Sequence, residues 1–171
     1  VNLSARQLRD PHLLDTVRRV LNQTGIPPSS LCLELTESLL MEEPAAAATL
    51  LAALRDLGIR LLIDDFGTGY SSLAYAQRFP AQCVKIDRSF VEALGSEDSS
   101  HESLVAAIVA MAAALDMKTI AEGVETPAQE ARLIELGCHS AQGYFYSRPV
   151  PADQIPAVLR RLTVPESALP G

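Results

Sequence analysis

The sequence has no tryptophan, only four tyrosines and four phenylalanines, and 14 Lys and Arg against 21 Asp and Glu in 171 residues. A net charge of −7 leaves no basic stripe for a phosphate backbone, which excludes a nucleic-acid polymer as partner. Three cysteines, Cys32, Cys83 and Cys138, are too few and too scattered for a disulfide framework or a paired-cysteine metal site. They point to a reducing compartment, the cytoplasm or the cytoplasmic part of a membrane-anchored protein, and read as small core hydrophobes. The longest apolar run, Leu104 to Leu115, is too short to span a bilayer, so no membrane contact is expected from this segment. No signal-peptide pattern opens the chain. What is plentiful is aliphatic: 48% of residues are hydrophobic, enough for one core in a chain of about one domain.

Strand-like and helix-like runs alternate. Val1 to Ser4 reads as a short extended piece. Asp10-Pro11 starts a helix whose apolar positions are Leu13, Leu14, Val17, Val20 and Leu21, and Gly25 ends it. Leu31 to Thr36 alternates as a strand, Pro44 to Leu57 is a helix stopped by Gly58, and Arg60 to Asp65 is a strand followed by a glycine-bearing loop, Phe66 to Tyr70. Cys83 to Asp87 is the next strand, Ser96 to Ser100 a polar linker, Glu102 to Leu115 a helix and Lys118 to Glu122 a strand. Thr126-Pro127-Ala128-Gln129 has the form of a capping box. Ala141 to Tyr146 is the last strand and Ile155 to Leu162 the last helix. This is the rhythm of βα units on a parallel sheet. His12, His101 and His139 fall on helix starts or loops and read as surface residues.

Strands covered on both faces should be apolar throughout. These turn polar toward their C-terminal ends, at Glu34, Asp64 and Asp65, Lys85 and Asp87, Glu122 and Gln142, with Asn2 placed alike in the first. Each alone has an ordinary reading: Asn2 as a turn residue, Glu34 as half of an ion pair, Asp64-Asp65 as the start of a loop, Lys85 as a partner of Asp87, Glu122 as a loop carboxylate, Gln142 as a backbone hydrogen-bonder. Together they converge on the face where βα architectures bind ligands and catalyse. Four carboxylates with one ammonium need raised pKa values or bound cations. Oxygen donors without His or Cys favour hard metals such as Mg²⁺ or Mn²⁺, and adjacent carboxylates suit a two-metal site for phosphoester hydrolysis.

The series Val1-Asn2-Leu3-Ser4, Glu34-Leu35-Thr36-Glu37-Ser38, Asp64-Asp65-Phe66-Gly67-Thr68-Gly69-Tyr70-Ser71-Ser72-Leu73, Lys85-Ile86-Asp87, Ala121-Glu122-Gly123-Val124-Glu125-Thr126 and Gln142-Gly143-Tyr144 closely resembles the EAL-domain family, phosphodiesterases of the bacterial second messenger cyclic di-GMP. The resemblance implies a (βα)₈ TIM-like barrel with two Mg²⁺ or Mn²⁺ ions, opening cyclic di-GMP to linear pGpG. By motif, Asn2, Glu34, Asp64, Asp65 and Glu122 would be metal ligands, with Asp64 bridging. Lys85, Glu122 and Gln142 would be catalytic, Lys85 holding or deprotonating the attacking water. Asp87 and Gln142 would meet substrate, Glu37 would anchor the Asp65 to Ser72 loop, and Glu125 would support the metal site. The resemblance also implies a homodimer through this domain and fusion to upstream sensor or GGDEF domains.

The tripeptide that names the family precedes the Asn-Leu-Ser strand, and only Val1 stands before Asn2; Glu92-Ala93-Leu94 spells it by coincidence, on a helix. The expectation is therefore about six βα units over residues 1–163 of a barrel cut before its third strand, with a disordered tail over 164–171. Three functions fit: the hydrolase, a cyclic di-GMP receptor that does not hydrolyse, and a fragment inactive for want of the upstream Glu ligand.

Overall fold

The computed structural model describes residues 1–42, 44–67, 79–94 and 99–162. Five parallel strands lie side by side in chain order: β1 (Cys32–Thr36), β2 (Arg60–Phe66), β3 (Cys83–Ile86), β4 (Lys118–Ala121) and β5 (Ser140–Ala141). Leu33 pairs with Leu61, Ile63 with Val84, Val84 with Thr119 and Ile120 with Ser140. The apolar run Leu61-Leu62-Ile63 in β2, and Val84, Lys85 and Ile86 in β3, are buried without alternation, as in strands covered on both faces. Helices follow the strands: α1 (Ala5–Leu8), α2 (Leu13–Thr24), α3 (Glu37–Glu42), α4 (Pro44–Asp56), α5 (Arg88–Glu92), α6 (Ser99–Ala114), α7 (Pro127–Glu135) and α8 (Ile155–Leu162). Leu51 and Leu54 of α4, Val105, Ile108 and Ala112 of α6, and Leu133 of α7 join the strand residues in one core. This is the arrangement of a partial (βα) barrel. No described helix is long and apolar enough to cross a membrane.

The expected first strand is reduced to a single parallel bridge between Asn2 and Glu34. Leu3 N–H donates to the Glu34 carbonyl at 2.8 Å and Glu34 N–H to that of Val1 at 2.9 Å. Pairing stops there because Ser4 caps α1, its hydroxyl and the Gln7 side chain forming a reciprocal capping box. The last strand is also shorter than Ala141 to Tyr146. It ends at Ala141, and residues 143–146 turn instead, Tyr146 N–H donating to the Gly143 carbonyl at 3.1 Å. Ser99 and Ser100, expected in a linker, open α6; residues 96–98 of that linker and the 164–171 tail lie outside the described residues.

His101 is not a surface residue: it is half-buried, and its Nδ1 is buried with no hydrogen-bond partner among the described residues. His12 and His139 are exposed. The three cysteines are free and half-buried rather than core, Cys138 packing at the edge of the cluster. Burial pushes the thiols of Cys32 and Cys83 up.

Candidate active site

Glu34 sits mid-way along β1, Asp64 near the end of β2, Lys85 within β3, Glu122 just after β4 and Gln142 just after β5. Parallel strands in register carry all five to one place. Lys85 Nζ donates to Glu34 Oε2 at 3.1 Å, to Asp64 Oδ1 at 3.1 Å and to Glu122 Oε1. Gln142 Nε2 donates to Glu122 Oε1 at 2.7 Å. Lys85 is only 6% exposed. Burial alone would pull its ammonium down, but hydrogen bonds to Glu122, Asp64 and Glu34 outweigh it and hold the group above the ordinary lysine range. One ammonium cannot neutralise three carboxylates: burial pushes Glu122 up despite Lys85, and Asp64 and Glu34 push it further.

A β-bulge aims the adjacent carboxylates. The β2–β3 register shifts between Ile63 and Phe66, and Asp65 takes a left-handed backbone with φ of 53°, a conformation open to Asp at modest cost. Its N–H donates to Asp64 Oδ1 at 3.0 Å. Burial pushes the Asp65 carboxyl up, with the charges of Asp64 and Asp87 adding to it. Bulges recur beside active sites because they re-aim a side chain.

The other expected residues fall close by. Asn2 is exposed and lines, with Glu34, Thr36 and Ser38, a groove of about 350 Å³. Asp87 caps α5, accepting from the Ser89 N–H at 2.9 Å. Glu37 begins α3 and is half-buried; the greater part of the loop it was expected to anchor, from Thr68 on, lies outside the described residues. Glu125 accepts from Arg88 Nη2 at 2.9 Å.

The donors here are oxygens only, the chemistry of a hard divalent cation. Among the described residues, however, no three His, Cys, Asp or Glu side chains are gathered for an ion; the Lys85 ammonium stands among the carboxylates instead.

Beside this cluster a cavity of about 500 Å³ is lined by Glu122, Gln142, Tyr144, Arg88 and Arg148 among others. The Arg148 guanidinium lies 4.6 Å over the Tyr144 ring, a cation–π contact. Two backbone segments close one wall. Val124 N–H donates to the Gln142 carbonyl at 3.1 Å and Phe145 N–H to the Val124 carbonyl at 2.9 Å. The approach requires Gly143, where a Cβ would lie 2.1 Å from the Val124 carbonyl oxygen. Sequence reasoning missed Arg88 and Arg148. A second cation three residues after Lys85 was the available signal for the first; the second had none.

The EAL domain family matches residues 1–149 of the chain. The bifunctional diguanylate cyclase/cyclic di-GMP phosphodiesterase MucR of Pseudomonas aeruginosa is 48% identical over 155 residues, 91% of this chain and 22% of that protein. A structure of the MucR phosphodiesterase in complex with c-di-GMP superposes with a TM-score of 0.86 over 91% of this chain and 62% of its own. The cyclic di-GMP phosphodiesterase NbdA of the same organism is 46% identical over 160 residues, 94% of this chain and 20% of that protein. A manganese/cy-diGMP complex of Klebsiella pneumoniae BlrP1 is 31% identical with a TM-score of 0.78, over 87% of this chain and 38% of its own. The chain spans about a fifth of the length of the curated relatives it matches.

Proposed function

The chain belongs to the EAL domain family, and we propose that it forms the motif-bearing part of a phosphodiesterase that opens cyclic di-GMP to linear pGpG. The observation that carries this reading is the convergence of Glu34, Asp64 and Glu122 on Lys85, with Gln142 on Glu122, at the C-terminal side of one parallel sheet. In the reaction one P–O bond of the ring is replaced by a bond to the oxygen of water.

Mg²⁺ or Mn²⁺, two per site, would be held by Asn2, Glu34, Asp64, Asp65 and Glu122, whose donors suit hard cations. Bound there, such ions lower the pKa of water and stabilise charge on the phosphoryl oxygens. The three N–H groups of Lys85 are taken by Glu34, Asp64 and Glu122 here; with cations on those carboxylates, Lys85 would hold the attacking water or take its proton. Gln142 fixes the Glu122 carboxylate through one amide hydrogen and keeps the other for water or ligand. The cavity beside them takes one nucleoside half of the substrate, with the Tyr144 face and the guanidinium of Arg148 as its wall. Asp87, one oxygen of which starts α5, offers the other toward substrate. Glu37 and Glu125 act as supports.

A messenger hydrolase of this kind acts in the cytoplasm. The lengths of MucR and NbdA support fusion to further domains, and pairing of two copies through this domain belongs to the same reading. The test is hydrolysis of cyclic di-GMP by the full-length protein with Mg²⁺ or Mn²⁺, reading pGpG. Product formation is the expected result. Binding of cyclic di-GMP without any product would overturn the hydrolase and make the protein a receptor.

A further inference from the structure

We infer that Arg88 is a positioning residue for Glu122, clamping the loop from Glu122 to Glu125 against the connection between β3 and α5. The two ends of that loop are gripped by two cations three residues apart. Lys85 takes the Glu122 carboxylate, and Arg88 Nη2 takes Glu125 Oε1 at 2.9 Å. Between them the arginine stem lies flat on Gly123, whose φ is +73°; a Cβ there would meet Arg88 Cγ at 2.4 Å and Cδ at 2.9 Å. The guanidinium does not swing freely, because its Nε donates to Glu92 on the next turn of α5. Arginine suits this place. Its planar fork addresses two carboxylates in different directions at once, which a lysine ammonium on a flexible stem does not fix.

The remainder of the loop is held from elsewhere. The Val124 N–H donates to Gln142, the Val124 carbonyl accepts from Phe145, and the Glu125 N–H donates to Gln129 Oε1 at 2.8 Å. Gly123, next to Glu122, has Arg88 as its cover. The side chains of Arg88 and Glu125 are 52% and 44% exposed, so the pair itself adds little to global stability. Its effect is on where Glu122 stands relative to Lys85, and hence on turnover.

The kinetic arm of the test rests on the hydrolase reading; the second arm does not. In the full-length protein, Arg88→Ala is expected to lower kcat about tenfold, the usual scale for a residue that orients another, with KM within about twofold. Glu125→Gln is expected to give the same loss, and the double variant no greater loss than either single one, as for residues acting through one contact. Independently, amide hydrogen exchange over residues 121–126 should quicken in Arg88→Ala while the strands keep their protection. A rise in KM at unchanged kcat would overturn the inference and make Arg88 a substrate contact. Unchanged exchange over 121–126 would also overturn it, whatever the kinetics. Absence of hydrolysis by the unmodified protein would remove the hydrolase reading alone, and the exchange measurement would still decide the role of Arg88.

Discussion

The Lys85 ammonium on β3 and the Glu34 carboxylate on β1 stand 3.1 Å apart, although β2 runs between their strands and 51 residues separate them in sequence. Two long side chains on one face of the sheet meet over the intervening strand, which makes Lys85 the counter-charge for a cluster that would otherwise repel itself. Lys85→Met should leave three half-buried carboxylates facing one another. Removing one side of a buried ion pair costs about 3–5 kcal/mol, so the melting temperature should fall by several degrees and pGpG formation should cease. Mn²⁺ should raise the melting temperature of the variant more than that of the unmodified protein, because a divalent cation takes over the neutralisation. Thermal unfolding with and without Mn²⁺ measures this; equal shifts in both proteins would refute it.

Asp64 accepts from Lys85 at 3.1 Å and from the Asp65 N–H at 3.0 Å. Asp64→Asn keeps the size of the side chain and removes its charge. Turnover should fall by at least about 100-fold, within the range for the loss of one charge-stabilising group, while the circular dichroism spectrum stays unchanged. Asp64→Ala should do the same. Retained hydrolysis in either variant would refute the metal assignment.

The parallel sheet was legible because Leu61 to Ile63 is a short apolar run between turn signals, because Val84 and Ile86 are apolar around Lys85, and because Thr126 to Gln129 carries a capping box that the structure contains. The convergence of Glu34, Asp64, Lys85, Glu122 and Gln142 was legible because parallel strands bring like positions to one end. The two outermost strands were overextended for a local reason. Ser4 with Gln7 is itself a capping box and takes the chain into α1, and Gly143 turns the chain against Val124 where alternation alone would continue a strand. The bulge at Asp65 breaks the period of two on which strand reading rests. For Arg88 the spacing from Lys85 was the one sequence signal, since an exposed ion pair leaves no periodic trace; the contact with Gly123 makes it stand out in the structure.

Thr119 is fully buried in β4, and its hydroxyl stands 3.2 Å from His139 Nδ1 while accepting from the His139 N–H at 3.2 Å. Thr119→Val keeps the shape and leaves the His139 backbone donor without its partner. The cost should be about 1–3 kcal/mol, read from denaturant unfolding. Hydrolysis at 25 °C should be unchanged, because the residue touches neither the carboxylates nor the cavity. A variant as stable as the unmodified protein would show that this pair does not pin β5.

Gly143 joins the two loops that carry Glu122 and Gln142. Its φ is not the constraint; the space is. A Cβ would lie 2.1 Å from the Val124 oxygen and 2.3 Å from the Val124 nitrogen, backbone atoms that cannot rotate away as a side-chain tip does. Gly143→Ala must therefore push residues 142–146 off Val124, breaking the bonds from Val124 N–H to Gln142 and from Phe145 N–H to Val124 and drawing the Gln142 amide away from Glu122. Overpacking of this kind costs about 1–3 kcal/mol, and turnover should fall with it. Gln142→Ala separates the two effects: it removes the amide that meets Glu122 but not the loop contact, so kcat should drop while the melting temperature holds. If Gly143→Ala matched the unmodified protein in both melting temperature and rate, the close approach of these loops would not be what sets Gln142 against Glu122.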